Sequence, residues 1–403
     1  MSLWSVMFAS STQFFILTPL LPFVGRDLCI AEGVLGTLVG VYALALGVSA
    51  LFAGFLSDRI GRRKILLFGS GFMAFALMCH GLAVDYYSLL VLRLLTGISG
   101  GVLTGSCIAY VRDYFPYEKR GWANGVVVTG GAFGQIGGIP AGILLADQFG
   151  FSSPFVVLGL VMAGSFFLIN RFVPQPFEVQ TVRRVGLLGL LRGYQSILRF
   201  PFYRRAALGY VLMFFSVTMY LVYFPQWIEQ AKGASAMDMA WLFLIGGGAT
   251  LVGGPMAGRL ADQVGRIPVT IATSLSLAGA MGISLFFRLD VLFASFVFFL
   301  VMLFLAGRSV SYQSEIADRT IERDRGKTMN LMIALGQIGM AVGSTSAGWV
   351  FTKWGYEVNT SLAVIASVAM AVLVSGRWVG GAPSESVADS EDLAVESIEL
   401  ESA

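Results

Sequence analysis

Residues 54–64 read GFLSDRIGRRK, a polar, glycine-punctuated segment between two long apolar runs. So many charged side chains are costly within the hydrocarbon layer of a membrane, so we expect the segment to lie outside the bilayer. A second version, GRLADQVGRIP, occupies residues 258–268. The short string GQIG occurs at 134–137 and again at 336–339, and the distance between its copies nearly equals the distance between the two longer segments. The chain is therefore predicted to contain two copies of one plan.

The composition is that of a protein that crosses a membrane many times. Of 403 residues, 56% are hydrophobic and 13% are charged, and the mean hydropathy is +0.76. Soluble proteins carry about 25% charged residues. A membrane-spanning helix needs about 20 apolar residues. The apolar runs predict twelve spans, at 4–24, 34–56, 65–84, 88–111, 122–146, 153–173, 206–228, 239–258, 269–287, 291–313, 328–352 and 358–377.

The distribution of basic residues predicts the orientation. If the amino terminus is cytoplasmic, the inside loops and ends hold twenty-one Lys or Arg residues, whereas the outside connections hold only Arg26, Lys232, Arg288 and Lys353. Basic residues in short loops resist translocation. We therefore expect both termini in the cytoplasm of a bacterial cell and the protein in its inner membrane.

The chain divides into four predicted parts. Residues 1–173 and 206–378 form two six-helix bundles, and residues 174–205 form a cytoplasmic linker. Leucines between the arginines of the linker favour an amphipathic helix on anionic lipid, with a solvated linker as the alternative. Residues 379–403 carry seven acidic residues and no Lys or Arg, which is typical of a disordered cytoplasmic tail, with a partner-binding peptide as the alternative.

The segment at 54–64 resembles the signature loop of the major facilitator superfamily, and VRDYFPYEKRG at 111–121 also resembles that family. The resemblance implies an all-α fold of twelve transmembrane helices in two pseudo-symmetric six-helix bundles. It is closest to the twelve-span drug:proton antiporter branch. Gly125, Gly134 and Gly138 keep the spacing of the antiporter motif in span five, but Pro140 stands one place late. These residues are expected to serve helix packing.

The resemblance also implies a latch at the cytoplasmic side. Asp58 is expected to engage the start of span eleven, where a carboxylate meets the positive end of a helix dipole. Arg62 is expected to pair with Asp113 below span four. Solvated loop charges without a gating role are the alternative. The full predicted gating set is Gly54, Asp58, Arg59, Gly61, Arg62, Asp113, Asp262, Arg266 and Asp318.

Polar and aromatic residues within the predicted spans are candidates for the substrate or proton pathway. Arg93 and Arg308 lie at membrane depth, where charged side chains usually face a wet cavity or a partner. The resemblance links Arg93 to proton coupling, and a structural tie to a backbone carbonyl is the alternative. Arg308, Tyr312 and Glu315 share one helical face and either line the cavity mouth or form the wet end of span ten. The full set is Gln13, Tyr42, Arg93, Phe133, Gln135, Tyr220, Arg308, Tyr312, Glu315 and Gln337.

The sequence favours transport over catalysis. Cys29, Cys79, Cys107 and His80 have no metal-ligand spacing, and no nucleophile, base and acid set is evident, so we expect no metal, no cofactor and no enzyme. We expect a monomer that moves a small molecule, contacts lipid, can use protons and binds no nucleic acid. Export of a small organic or amphipathic compound by alternating access is the favoured function. An importer or uniporter of a neutral or anionic metabolite, and a non-transporting sensor or assembly subunit, are the alternatives.

Overall fold

A computed structural model describes residues 1–175, 187–286 and 291–376. The expected acidic tail at 379–403 lies outside these residues, as do residues 176–186 of the expected linker. Within the described part, twelve helices are long and apolar enough to cross a membrane. In chain order they are Ser2–Asp27, Glu32–Ile60, Arg62–Leu82, Tyr86–Tyr114, Tyr117–Phe149, Ser153–Phe172, Pro201–Lys232, Ala236–Val264, Arg266–Leu285, Val291–Arg319, Arg325–Trp354 and Tyr356–Ser375, and we call them spans one to twelve.

The predicted fold class is confirmed. Span two packs on span four, span three on spans four and six, and span one on spans five and six, which makes the first bundle. Span eight packs on span ten, span nine on spans ten and twelve, and span seven on spans eleven and twelve, which makes the second. The two bundles meet where span two contacts span eleven and where span five contacts span eight.

Several spans extend beyond the apolar runs that predict them. Span two continues to Ile60, span four to Tyr114 and span ten to Arg319. The helical hydrogen bonds continue past the last apolar residue because a helix does not have to end at the edge of the hydrocarbon layer. The charged groups of the signature loop are thus carried on rigid helix ends.

Both copies of the repeated segment turn in the same way. Span two ends at Gly61 with a φ of 101°, and span eight ends at Gly265 with a φ of 102°. Only glycine adopts such values without a steric penalty, which explains why both copies keep a glycine there. We call the face that carries these two turns the signature face. The opposite face carries the turns at Gly150 and Gly355.

Two spans are interrupted. Span five changes to a π-helical turn over Gly134–Gly138, which ends two residues before Pro140. Such turns occur often at functional sites because they shift the register of the side chains that follow. Span seven breaks at Val222 and Tyr223 and resumes as Phe224–Lys232. The break turns the final part of this span toward the first bundle.

A separate helix, Leu187–Arg199, lies before span seven, within the region expected to link the bundles. Its Tyr194 is buried and donates a hydrogen bond of 2.9 Å to the carbonyl oxygen of Leu51 in span two. Burial raises the pKa of the Tyr194 hydroxyl, which keeps it protonated as a donor. Ile197 packs with Phe202 and Tyr203 of the second bundle, so this helix contacts both bundles.

Candidate functional site

The signature loop forms a compact charge cluster on the signature face. The guanidinium of Arg62 lies 2.7 Å from the carboxylate of Asp113 through Nε and 2.6 Å from that of Asp58 through Nη2. The guanidinium of Arg59 lies 4.2 Å from the centre of the Phe55 ring. The structure therefore contains the Arg62–Asp113 pair, and it pairs Asp58 with Arg62.

The second copy has a smaller version of this cluster. Arg266 forms an ion pair with Asp318 and donates a hydrogen bond of 2.9 Å to the carbonyl oxygen of Ser314. Asp262 lies on the last turn of span eight and is exposed. The first cluster ties spans two, three and four of the first bundle together, and the second cluster ties spans nine and ten of the second bundle together. Their roles in gating stay predictions.

Polar contacts join the two bundles at the opposite face. The Tyr223 hydroxyl donates to the carbonyl oxygen of Glu32 at 2.6 Å and accepts from the backbone N–H of Gly36 at 3.0 Å. Arg26 forms an ion pair with Glu229. The Gln230 amide donates to the Glu32 carboxylate at 2.8 Å. All three contacts connect the first two spans with span seven.

The backbones of spans two and eleven touch beside these contacts. A Cβ at Gly36 would collide with the carbonyl of Ser344, and a Cβ at Gly348 would collide with the carbonyl of Gly33. Glycine is required at this seam because it alone lets two helix backbones approach so closely. Tyr223 is fully buried here, stacked on Phe351 with ring centres 4.8 Å apart. This seam closes the protein at the opposite face.

The bundles separate toward the signature face. A cavity of about 550 Å³ lies between them and extends to Asp58, Arg62, Arg112 and Gly326 at the mouth. A Cβ at Gly54 or Gly105 would meet no atom within 4 Å, so the walls are open there. Deeper in, the cavity is lined by Ser10, Ser11, Tyr42, Thr104, Asn330 and Gln337. We call this cavity the polar lobe.

A second cavity of about 320 Å³ lies against the second bundle. Its lining is mostly aromatic and aliphatic, with a few polar groups such as Gln135 and Thr250. The main apolar contributors are Met213, Phe214, Phe243, Met302, Leu305 and Met340. We call this cavity the apolar lobe.

A buried polar network lies behind the polar lobe. The Gln13 amide donates to the Tyr42 hydroxyl at 2.6 Å. Arg93 lies 4.4 Å from the centre of the Tyr42 ring and donates two long hydrogen bonds, each 3.4 Å, to the backbone and side-chain oxygens of Gln13. Arg93 and Gln13 have no exposed surface. The structure thus brings together three of the predicted pathway residues, with Tyr42 as the member that lines the cavity.

The three residues of span ten that are candidates for the cavity mouth lie inside the second bundle. Arg308 is fully buried and donates to Ser216 Oγ at 3.2 Å, Ser367 Oγ at 3.0 Å and the Met213 carbonyl oxygen at 2.9 Å. Tyr312 donates to the carbonyl oxygen of Ala206 at 3.0 Å. Glu315 forms an ion pair with Arg319 of the same helix. None of these predicted residues is among those that line the two lobes in the described part of the chain.

The remaining predicted residues are dispersed. Phe133 packs on Trp4, with ring centres 5.9 Å apart, and is 60% exposed. Tyr220 is buried in the second bundle, where its carbonyl oxygen accepts from the Tyr356 hydroxyl. Cβ atoms at Gly134 and Gly138 would both collide with Thr12 of span one, whereas one at Gly125 would meet nothing within 4 Å. Gln135 and Gln337 line the apolar and polar lobes respectively.

Phe14 and Phe15, which are not among the residues predicted for the pathway, line both lobes. Their rings lie edge to face, with centres 4.4 Å apart. Adjacent aromatics in an apolar helix give no periodic signal that separates a cavity from a packed core. Asn330 also lines the polar lobe without being among the predicted residues, although it precedes Gln337 by two helical turns and therefore shares its face. No cluster of three or more potential metal ligands occurs among the described residues.

Comparison with known proteins agrees with the geometry. A family model described as Major Facilitator Superfamily matches residues 3–311 and 206–398. A relative named Multidrug resistance protein MdtG, from Proteus mirabilis (strain HI4320), is 25% identical over 374 residues, covering 88% of this chain and 89% of its own.

Two further comparisons cover most of the chain. A relative named Uncharacterized MFS-type transporter YceJ, from Bacillus subtilis (strain 168), is 24% identical over 349 residues, covering 86% of this chain and 88% of its own. The crystal structure of a D-xylose-proton symporter superposes with a TM-score of 0.73 at 15% identity, covering 93% of this chain and 95% of that one. At that identity the likeness concerns the fold alone.

Proposed function

The chain belongs to the major facilitator superfamily, and from that premise we propose that it exports a small organic or amphipathic compound by alternating access. Membership of this transporter family implies a small-molecule substrate and a multi-pass position in a membrane, in keeping with the twelve apolar spans. The observation that carries the proposal is the asymmetry between the two faces. The bundles touch at Gly36 and Gly348 and separate around the polar lobe.

Alternating access requires that this asymmetry can be reversed. Among the described residues, the seam at the opposite face is held by hydrogen bonds, an ion pair and glycine contacts, which a rocking motion of one bundle can break. On the signature face, Asp58 and Gly326 line the same cavity mouth. Closing that mouth brings Asp58 toward the start of span eleven, the contact expected for the latch. In that state the Asp58 carboxylate interacts both with Arg62 and with the positive end of the helix dipole of span eleven.

We assign the signature face to the cytoplasm and the membrane to the bacterial inner membrane. The basic residues of the loops on this face support the assignment. With this orientation, the structure is in its inward-open state, ready to receive a compound from the cytoplasm. The names of the MdtG relatives support efflux as the direction of transport.

Proton coupling is a second part of the proposal. Arg93 is buried beside Tyr42 and has no carboxylate among its described partners. A change of protonation elsewhere in the site would alter its environment strongly, because charges interact strongly at low dielectric. The absence of a lining carboxylate other than Asp58 in the described lobes favours the alternative, a uniporter or importer of a neutral or anionic metabolite.

Transport by purified protein in liposomes tests these proposals. Fluorescent or radiolabelled amphipathic compounds are loaded on one side, and flux is measured with and without an imposed pH gradient. Export predicts flux above that of liposomes that contain no protein. Proton coupling predicts that the pH gradient accelerates this flux. Flux that ignores the gradient would remove the coupling and favour the uniporter. If no compound moves, the non-transporting alternative is preferred.

A further inference from the structure

The polar and apolar lobes adjoin at one pair of side chains. Phe14 and Phe15 line both, and their rings form an edge-to-face pair between them. Phe14 also lies 5.4 Å from the Tyr42 ring, centre to centre. An aromatic partition of this kind can contact the middle of a molecule whose two ends lie in different lobes. The two lobes therefore form one site with two chemically different ends.

Gln337 is the distinctive polar group of this site. It lines the polar lobe and is 5% exposed, and its side-chain oxygen is buried without a hydrogen-bond partner among the described residues. A buried acceptor in that condition is costly, and a bound O–H or N–H group removes the cost. Asn330 lies on the same face of span eleven and lines the same lobe. Carboxamides offer both donors and acceptors but carry no charge.

The charges around the site disfavour an organic cation. At the mouth, the carboxylate of Asp58 is already paired with Arg62 at 2.6 Å. Behind Tyr42 lies the guanidinium of Arg93, a buried positive charge whose described hydrogen bonds go to an uncharged residue, Gln13. Its field acts over a short, poorly screened distance. No charged residue is among those that line the apolar lobe in the described chain.

We propose that this two-lobed site binds an uncharged amphipathic molecule, whose polar end donates an O–H or N–H hydrogen bond to Gln337 and whose apolar end occupies the lobe of Phe214 and Phe243. Gln337 is then the residue that determines specificity for the polar end. The inference rests on the proposed function, because it names the substrate class of the same cavity. It separates this chain from an exporter of cationic compounds.

Equilibrium binding with three matched probes tests the proposal. The probes share a naphthylbutyl tail and differ only at the terminal group, which is a hydroxyl, a trimethylammonium or a carboxylate. Binding of tritiated probe to purified protein in lipid nanodiscs is measured by scintillation proximity. The hydroxyl probe should bind about tenfold more tightly than the trimethylammonium probe, because one satisfied hydrogen bond in a buried site is worth about that factor. The carboxylate probe has no proton to donate and would place a second acceptor beside the Gln337 oxygen, so it should also bind more weakly than the hydroxyl probe despite the charge of Arg93.

Variants of Gln337 test the assigned contact. Gln337→Leu keeps the approximate volume and removes the acceptor, so the hydroxyl probe should lose about tenfold in affinity. Gln337→Glu adds a carboxylate in the same place, so the trimethylammonium probe should become the preferred ligand. Equal binding of all three probes to the natural protein would overturn the proposal. So would an unchanged preference for the hydroxyl probe in Gln337→Leu.

A pair of glycine variants tests the location independently. A Cβ at Gly105 or at Gly164 would meet nothing within 4 Å, so a leucine enters open space at either position. Gly105 lines the polar lobe and Gly164, in span six, lines neither lobe. Gly105→Leu should abolish binding of the hydroxyl probe and Gly164→Leu should leave it unchanged. Binding that survives Gly105→Leu would place the ligand elsewhere and refute the site.

Failure of this inference can be told from failure of the proposed function. Binding is measured without flux, so correct probe selectivity with no transport in liposomes would contradict the transporter and leave the ligand class standing. Transport of cationic compounds by a protein that does not select the hydroxyl probe would contradict only the ligand class.

Discussion

Removing the hydroxyl of Tyr223 should loosen the seam at the opposite face. This hydroxyl lies between the N–H of Gly36 and the carbonyl oxygen of Glu32, at 3.0 and 2.6 Å, and so bridges span seven to the first turn of span two. Tyr223→Phe removes both hydrogen bonds and keeps the ring stacked on Phe351. We therefore expect the two bundles to separate more often at this face.

The magnitude follows from the two hydrogen bonds. Each contributes about 0.5–1.5 kcal/mol net, which gives about 1–3 kcal/mol for the pair. Gly36 and Glu32 stand four residues apart in one helix, so they can bond directly to each other when the hydroxyl is gone. This recovery leaves a loss near the lower end, about 1–1.5 kcal/mol, or roughly a tenfold shift toward the state open at the opposite face.

Pulsed electron paramagnetic resonance measures the shift. Spin labels are attached at Leu82 in the first bundle and Met237 in the second, two residues that are exposed near the opposite face. The native cysteines are replaced beforehand. The long-distance population should rise about tenfold in Tyr223→Phe, in keeping with the loss of roughly 1.4 kcal/mol. The matched control is Tyr210→Phe in the same span, because the Tyr210 hydroxyl is buried and has no hydrogen-bond partner among the described residues. An unchanged distribution in Tyr223→Phe, or an equal shift in both variants, would refute the reasoning.

Three further predictions concern the glycine seam, the signature face and the interior of the second bundle. Gly36→Ala should favour the state open at the opposite face, because its Cβ collides with Ser344, whereas Gly137→Ala meets open space and should leave the label distances unchanged. Asp58→Asn should shift the balance away from the outward-open state. If the accessibility of cysteines on each face is the same in the variant as in the natural protein, that result would count against the latch. Arg308→Lys should lower the melting temperature in detergent, because an ammonium cannot reach Ser216, Ser367 and the Met213 carbonyl together. A melting curve that does not change would contradict a structural role for Arg308.

Much of the fold was predictable because the membrane simplifies the problem. Backbone polar groups have no water to bond within the hydrocarbon layer, so apolar runs of sufficient length must be helices. The span count and the two-bundle fold class follow from the apolar runs and the repeated segment, and both are confirmed. Helix ends were less predictable, because Ile60 and Arg319 lie beyond the apolar runs.

The candidate site was predictable only in part. Gln13, Tyr42 and Arg93 stood out because polar groups at membrane depth need partners, and the structure joins them. The same argument selected Arg308, but its partners are two serines and a carbonyl inside one bundle rather than the cavity. The cost of burying a polar or charged side chain indicates that it has a partner, but it does not indicate on which side of the helix that partner lies.

The sequence by itself determined the number of spans, the duplication and the charge cluster of the signature loop, because these depend on local composition and on spacing along the chain. Only the tertiary structure decided which face is closed, that Phe14 and Phe15 stand between two lobes, and that the Gln337 side-chain oxygen has no hydrogen-bond partner among the described residues. These features arise where residues from distant spans meet. The signature loop, GFLSDRIGRRK, marks one side of the membrane in the sequence. The separation of the bundles beside Asp58 is instead a property of how spans two and eleven pack.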